Sequence, residues 1–444
     1  MLIVRLAILF GLSAVLGFGG IINSDAVNPS LFSLTTFASG LSFPAGVQPL
    51  ADGSVLVQTS PNYGYNPGQL LSFTSTGGGG SAVYTAGALG LMTGSAKVGN
   101  YYAVGNDSSE IGPGGDHSIT LLKPGAPGSP AALIATLHLN YPTPWEHPSV
   151  GLAARPTPGV PGSWDLIVNV GAQGDNTATP ANSQVTLTGT GFSSIPSASL
   201  AGDSLYLIRI NETGAQPAVT AVQQVATGIR NVFGMTFDNS GNLWFTDNGI
   251  DVLPPGSTQP VPPDGEPPQA DELDFLAGNQ LGIGPPPNYG FPNCYIQYAY
   301  GGVPGVPVGS GCIQPILAFQ PVVDSSGTHE LEGATQIALA PSTFPVGFNN
   351  GVFVGFTGGE NPNDEAGMAY YDFGTGQYTQ FIQSSNPLVG NIIGLDATNN
   401  ALFFTDAGTG NVYELTAASP EPGTGLTAAL GLMAAVWRMK RRSH

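Results

Sequence analysis

Six times along the chain, a turn gives way to a short run of apolar and β-branched residues that ends in polar or glycine-rich positions. The runs are GSVLVQT (Gly53 to Thr59), NYYAVGN (Asn100 to Asn106), SWDLIVNVGAQGD (Ser163 to Asp175), GNLWFTDNG (Gly241 to Gly249), NGVFVGFTGG (Asn350 to Gly359) and NALFFTDAG (Asn400 to Gly408). Such runs suit strands and are too short for helices. Four of them are followed by a second apolar stretch, a candidate outer strand: Gln69 to Phe73, Ile119 to Leu122, Ser204 to Ile208 and Val412 to Leu415. A similar unit recurring across a long all-β chain is the signature of a propeller. The six units predict a six-bladed β-propeller over residues 30–417, with a strand near Leu31 to Ala38 completing the last blade. In the fourth unit, Asp238-Asn239-Ser240-Gly241 sits between two apolar runs and predicts a hairpin. Its second strand ends in Asp247-Asn248-Gly249, and strand ends are where all-β domains build sites.

Composition agrees. The 444 residues include 64 glycines and 39 prolines, while only 9% are charged. That suits many short strands and tight turns and argues against a helical bundle. Hydrophobic residues make up 41%, enough for a core. The units are unevenly spaced. Pro254 to Gln269 is proline-rich, the stretch around Cys294 and Cys312 is glycine-rich, and Gly174 to Leu200 is rich in Ser, Thr and Ala. These read as loops, the first and last expected on one rim over the channel mouth.

The two ends carry addresses. Residues 1–26 hold Arg5, an apolar run and the small-x-small site Ser24-Asp25-Ala26, the pattern of a secretory signal peptide. Residues 419–444 contain Pro420-Glu421-Pro422, an apolar stretch from Gly423 to Trp437, and then Arg438, Lys440, Arg441 and Arg442. Basic residues after an apolar run hold that end in the cytoplasm. The tail resembles the PEP-CTERM sorting signal, with a short transmembrane helix. The resemblance implies passage through the inner membrane of a Gram-negative bacterium and processing at Pro420, Glu421 and Pro422 by an exosortase-type enzyme. Residence at the cell surface, in the extracellular matrix or in the periplasm would follow; a plain membrane anchor is the alternative.

Charge sharpens this picture. The chain has 10 basic and 29 acidic residues, net −19, and between Arg5 and the tail only Lys97, Lys123, Arg155, Arg209 and Arg230 are basic. So acidic a surface repels phosphate backbones and excludes nucleic acid as a partner. It favours solubility and attracts divalent cations. Cys294 and Cys312 are the only cysteines, and in an oxidising compartment a disulfide is expected. With no histidine between them they make a poor metal site.

Three groups of motifs carry a further likeness: Trp145 to Leu152 with Leu166 to Asp175; Gly228-Ile229-Arg230-Asn231-Val232-Phe233-Gly234-Met235; and Asp247-Asn248-Gly249 with Asp271-Glu272-Leu273 and Asn288 to Pro292. Together they resemble the soluble glucose/sorbosone dehydrogenase family, six-bladed propellers that use the quinone PQQ, over roughly residues 35–415. The resemblance implies that His147 is the base taking a proton from a sugar hydroxyl, a task that suits an imidazole. It implies that Arg230 and Asn231 bind the quinone, with the guanidinium stabilising charge on it. Gly249 and Ile250 would offer carbonyls to calcium, with Asp271 and Glu272 as acidic candidates.

One feature of the residues departs from the pattern. PQQ is a tricarboxylate that the family holds with lysine and arginine from its last blades, yet no Lys or Arg occurs between Arg230 and Arg438. Carboxylates buried without counter-cations are costly. Two functions remain open: a PQQ- and calcium-dependent oxidoreductase acting on a sugar or related alcohol, or a non-catalytic propeller binding carbohydrate, calcium or a matrix partner. His117, His138 and His329 show no metal spacing, and neither a phosphate loop nor a nucleophile elbow is present.

Overall fold

The computed structural model describes residues 22–419 except 62–66, 87–93, 107–114, 149–150, 254–268, 300–304, 324–327, 359–363 and 384–390. The expected sorting motif at Pro420, Glu421 and Pro422, most of the leader and the proline-rich insertion therefore lie outside the described residues.

Six sheets form six blades, antiparallel throughout except for one parallel pairing at the fifth, between Thr328–Leu331 and Asp364–Asp372. Their innermost strands are Pro44–Pro49, Ser95–Val98, Leu152–Pro156, Met235–Phe237, Ala334–Leu339 and Ile392–Ala397. These strands surround a central cavity of about 190 Å3 to which every one of them contributes. The ring closes where Phe32–Ala38 pairs with Asn411–Ala417, as the sequence predicts, with Leu34 opposite Leu415. Pro29–Leu31 is a single 3-10 turn, and no helix among the described residues is long and apolar enough to cross a membrane.

The six recurring runs are the second strand of each blade. In the third blade the run is Ser163–Val170, in the fourth Leu243–Asp247 and in the sixth Ala401–Asp406. Second strands are covered on both faces, so they read as continuous apolar runs. In the fourth blade Leu243 and Phe245 pack toward the third blade, while Trp244 packs toward the fifth. Each of the six blade interfaces has its own apolar cluster. The stretches expected as outer strands are third strands instead, such as Ser204–Asn211, with a fourth strand, Ala218–Thr227, outside it.

One expectation fails. Gly174 to Leu200 is not one long loop, because Gln184–Thr190 and Ala198–Ala201 are strands that extend the second blade to six strands. Thr186 pairs with Asn140, so this excursion from the third blade stitches it to the outer edge of the second. Cys294 and Cys312 are joined in a disulfide, as expected.

Candidate functional site at the channel mouth

All inner strands run the same way along the channel, so the segments entering them share one mouth. His147 lies five residues before Leu152–Pro156, and Arg230 five residues before Met235–Phe237. Second strands run the opposite way and deliver Gly171 to Asp175 and Asp247 to Asp251 to the same mouth. The central cavity lies further down the channel and does not reach His147 or Arg230.

Gly171 brings the two segments together. The Ala172 amide donates to the Arg230 carbonyl at 2.7 Å, and the His147 amide to the Ala172 carbonyl at 3.2 Å. A Cβ on Gly171 would stand 2.5 Å from the Arg230 carbonyl oxygen and 2.6 Å from that of His147. Only glycine permits this approach.

His147 is half-buried, and its Nε2 is buried without a hydrogen-bond partner. Burial, aided by the positive charge of Arg230, lowers its pKa to about 3. The imidazole is therefore neutral over the ordinary range of pH, with a ring nitrogen free to accept a hydrogen bond.

Four of the five guanidinium hydrogens of Arg230 are engaged. Its Nη2 donates to Asp175 Oδ1 and, at 2.6 Å, to Asp251 Oδ2; its Nε donates to the Asp175 carbonyl at 2.9 Å. Nη1 reaches the Asn248 carbonyl at 3.4 Å. The side chain is only 3% exposed. Asp175 in turn accepts from the amides of Asp251 and Val252, both at 3.2 Å. Although burial opposes it, the Arg230 charge holds Asp175 below its ordinary range. Beneath this cluster, Asp247 accepts from the amides of Arg230 and Asn231, the latter at 2.6 Å, and burial pushes it up to about 7. The Asn231 side chain is half-buried and donates to none of the described residues.

The remaining candidates also have defined places. The Gly249 amide donates to Asp271 Oδ1 at 2.9 Å, while Asp271 Oδ2 accepts from the Ala334 amide at 2.7 Å, tying the fourth blade to the fifth. The Ile250 amide donates to Gln269 Oε1, and its side chain packs on Ala172, Phe291 and Tyr295. Glu272 points into the interior of its blade and accepts from the Ile296 amide at 3.1 Å. Asp271 is thus adjacent to Gly249, whereas Glu272 is occupied elsewhere.

A tricarboxylate held by Arg230 does not fit these residues, since four of its five guanidinium hydrogens already meet two carboxylates and two carbonyls. Nor do the acids fit calcium: both Asp271 oxygens accept amide hydrogens, and the described residues contain no group of three His, Cys, Asp or Glu side chains placed to hold a metal ion. The sequence offered Arg230 but not its partners. Asp175 and Asp251 each lie just beyond the end of a second strand, the one signal that could have marked them.

The class defined by this architecture is the six-bladed β-propeller. Solved structures similar to this chain include the holo form of the pyranose dehydrogenase PQQ domain from Coprinopsis cinerea, at 14% identity and a TM-score of 0.58, covering 88% of this chain and 96% of that one. A Trichoderma reesei carbohydrate-active enzyme of family AA12 is similar at 15% identity and a TM-score of 0.56, covering 88% and 97%. Identities so low carry the fold alone. No family model matches the chain, and comparison with curated proteins finds no match.

Proposed function

We propose that this chain is an exported carbohydrate-binding propeller, whose mouth between His147 and Arg230 takes a neutral sugar or related polyol without holding PQQ through Arg230. The observation that carries this reading is the Arg230 cluster, one cation facing the carboxylates of Asp175 and Asp251. An anion meets net negative charge there, whereas a ligand hydroxyl can donate to Asp251 or to the neutral Nε2 of His147 and accept from Asn231. The fold likeness to a pyranose dehydrogenase domain and a carbohydrate-active enzyme supports the choice of ligand class.

A second reading, an oxidoreductase acting on a sugar or alcohol, is favoured by His147, a neutral imidazole with an unpartnered Nε2 at the mouth. Both readings are tested by incubating the purified chain with PQQ and calcium, then looking for quinone absorbance that survives gel filtration and for dye reduction by aldoses. We expect no retained quinone and no dye reduction, with binding to a panel of neutral oligosaccharides. Retained quinone, with aldose-dependent reduction lost in His147→Ala, establishes the oxidoreductase instead.

The address belongs to the same proposal: export, then processing at Pro420-Glu421-Pro422 by an exosortase-type enzyme, leaves the domain at the cell surface or in the matrix. Glu421→Ala should retain the chain in the membrane fraction. Equal release of both forms contradicts the sorting.

A further inference from the structure

We infer that Asp251 is a specificity-determining residue: its carboxylate occupies the place on Arg230 that a ligand carboxylate would take, so the mouth selects neutral over anionic sugars. The inference deepens the reading above and rests on it only for the position of the ligand.

The two acids on Arg230 are not equivalent. Asp175 is built into the fold. It accepts from Nη2 of Arg230 and from the amides of Asp251 and Val252, its carbonyl accepts Nε, and its neighbour Asn176 donates to the Val252 carbonyl at 3.0 Å. Its side chain is 24% exposed. Asp251 makes one side-chain hydrogen bond, the 2.6 Å contact from Nη2, and is 73% exposed. An exposed ion pair of this kind contributes little to folding. Its effect is on what approaches from solvent, because an exposed carboxylate sits on the buried guanidinium of Arg230, the only arginine at this mouth among the described residues.

Without Asp251 the pair Arg230–Asp175 has no net charge, and Nη2 presents an N–H outward. A guanidinium in that state is a carboxylate receptor. With Asp251 in place, an incoming carboxylate meets a like charge, and rejection through an unfavourable group is a common route to specificity. A hydroxyl carries no such penalty.

The test measures the affinity ratio of glucose to glucuronate, which differ only at C6, for the whole chain by saturation-transfer NMR competition, with PQQ as a second anionic probe. Wild type should favour glucose at least tenfold. Asp251→Asn and Asp251→Ser should each move the ratio tenfold or more toward glucuronate, with wild-type unfolding temperature. Glu414→Gln, which removes a charge on the sixth blade, should move it less than twofold. A ratio unmoved in both folded Asp251 variants, or moved equally in Glu414→Gln, overturns the inference. If wild type binds neither sugar, the carbohydrate site fails and PQQ decides alone. Quinone retained by the Asp251 variants and not by wild type supports the role of Asp251; retention by neither, or equally by all, overturns it.

Discussion

The fourth blade holds two sets of carboxylates under opposite conditions. At its mouth, Asp247 and Asp251, with Asp175 from the third blade, surround Arg230, and each accepts at least one hydrogen bond from it. In its interior, Glu272 and Asp274 face the apolar cluster against the third blade, where among the described residues no salt bridge reaches them and Asp274 Oδ2 has no hydrogen-bond partner. Burial, followed by the neighbouring acids, raises both interior groups well above their ordinary range. Buried charge is tolerable when partners are assembled around it, and otherwise the group keeps its proton. Arg230 therefore holds Asp175 charged at neutral pH, Asp247 beneath it sits near its midpoint at about 7, and the interior acids keep their protons.

The largest effect should come from breaking the mouth cluster. Arg230→Met leaves Asp175 and Asp251 without their cation and should cost about 3–5 kcal/mol in denaturant unfolding. A loss under about 1 kcal/mol would mean the cluster is not what holds these loops.

The interior should respond in the other direction. The folded-state pKa of Asp274 lies above its unfolded value, so this group's contribution is lost as pH rises through the folded pKa. Asp274→Asn does not titrate, so it should gain about 1–3 kcal/mol over wild type at pH 8, and less at pH 4. A gain that shrinks with rising pH contradicts the comparison.

His147 gives a smaller, oppositely signed dependence. Its folded pKa of about 3 lies below the unfolded value of 6.5, so its contribution is complete above that value and lost as pH falls toward 3. Because the ring is half-buried and screened, His147→Asn should remove roughly 1 kcal/mol of that acid sensitivity. Smallest of all, Asp251→Asn should change stability by less than about 1 kcal/mol while changing ligand choice. A large loss of stability would make Asp251 part of the scaffold.

The difference between legible and illegible parts follows the same physics. Second strands stood out because both faces are buried, as in Ala401–Asp406, where every residue is buried. The inner strands did not. They line a narrow channel with glycine and polar residues, as in Pro44–Pro49, and a Cβ on Gly394 would stand 2.6 Å from the Gly46 Cα. Gln184–Thr190 read as loop because its Ser- and Thr-rich context hid a half-exposed strand near the outer edge of the second blade. At the mouth, the family resemblance pointed to His147, Arg230 and Asn231, whose segments the structure brings to one end of the channel. The choice of Asp175 and Asp251 from 29 acids was not, since it depends on contacts 55 and 21 positions apart in the chain.

The most direct test follows the His147 imidazole nitrogen signals by NMR while neutral oligosaccharides, and separately PQQ with calcium, are titrated into the purified chain. The account predicts a saturable shift of the Nε2 resonance with a neutral sugar and none with PQQ. A shift with PQQ and none with any sugar would contradict it.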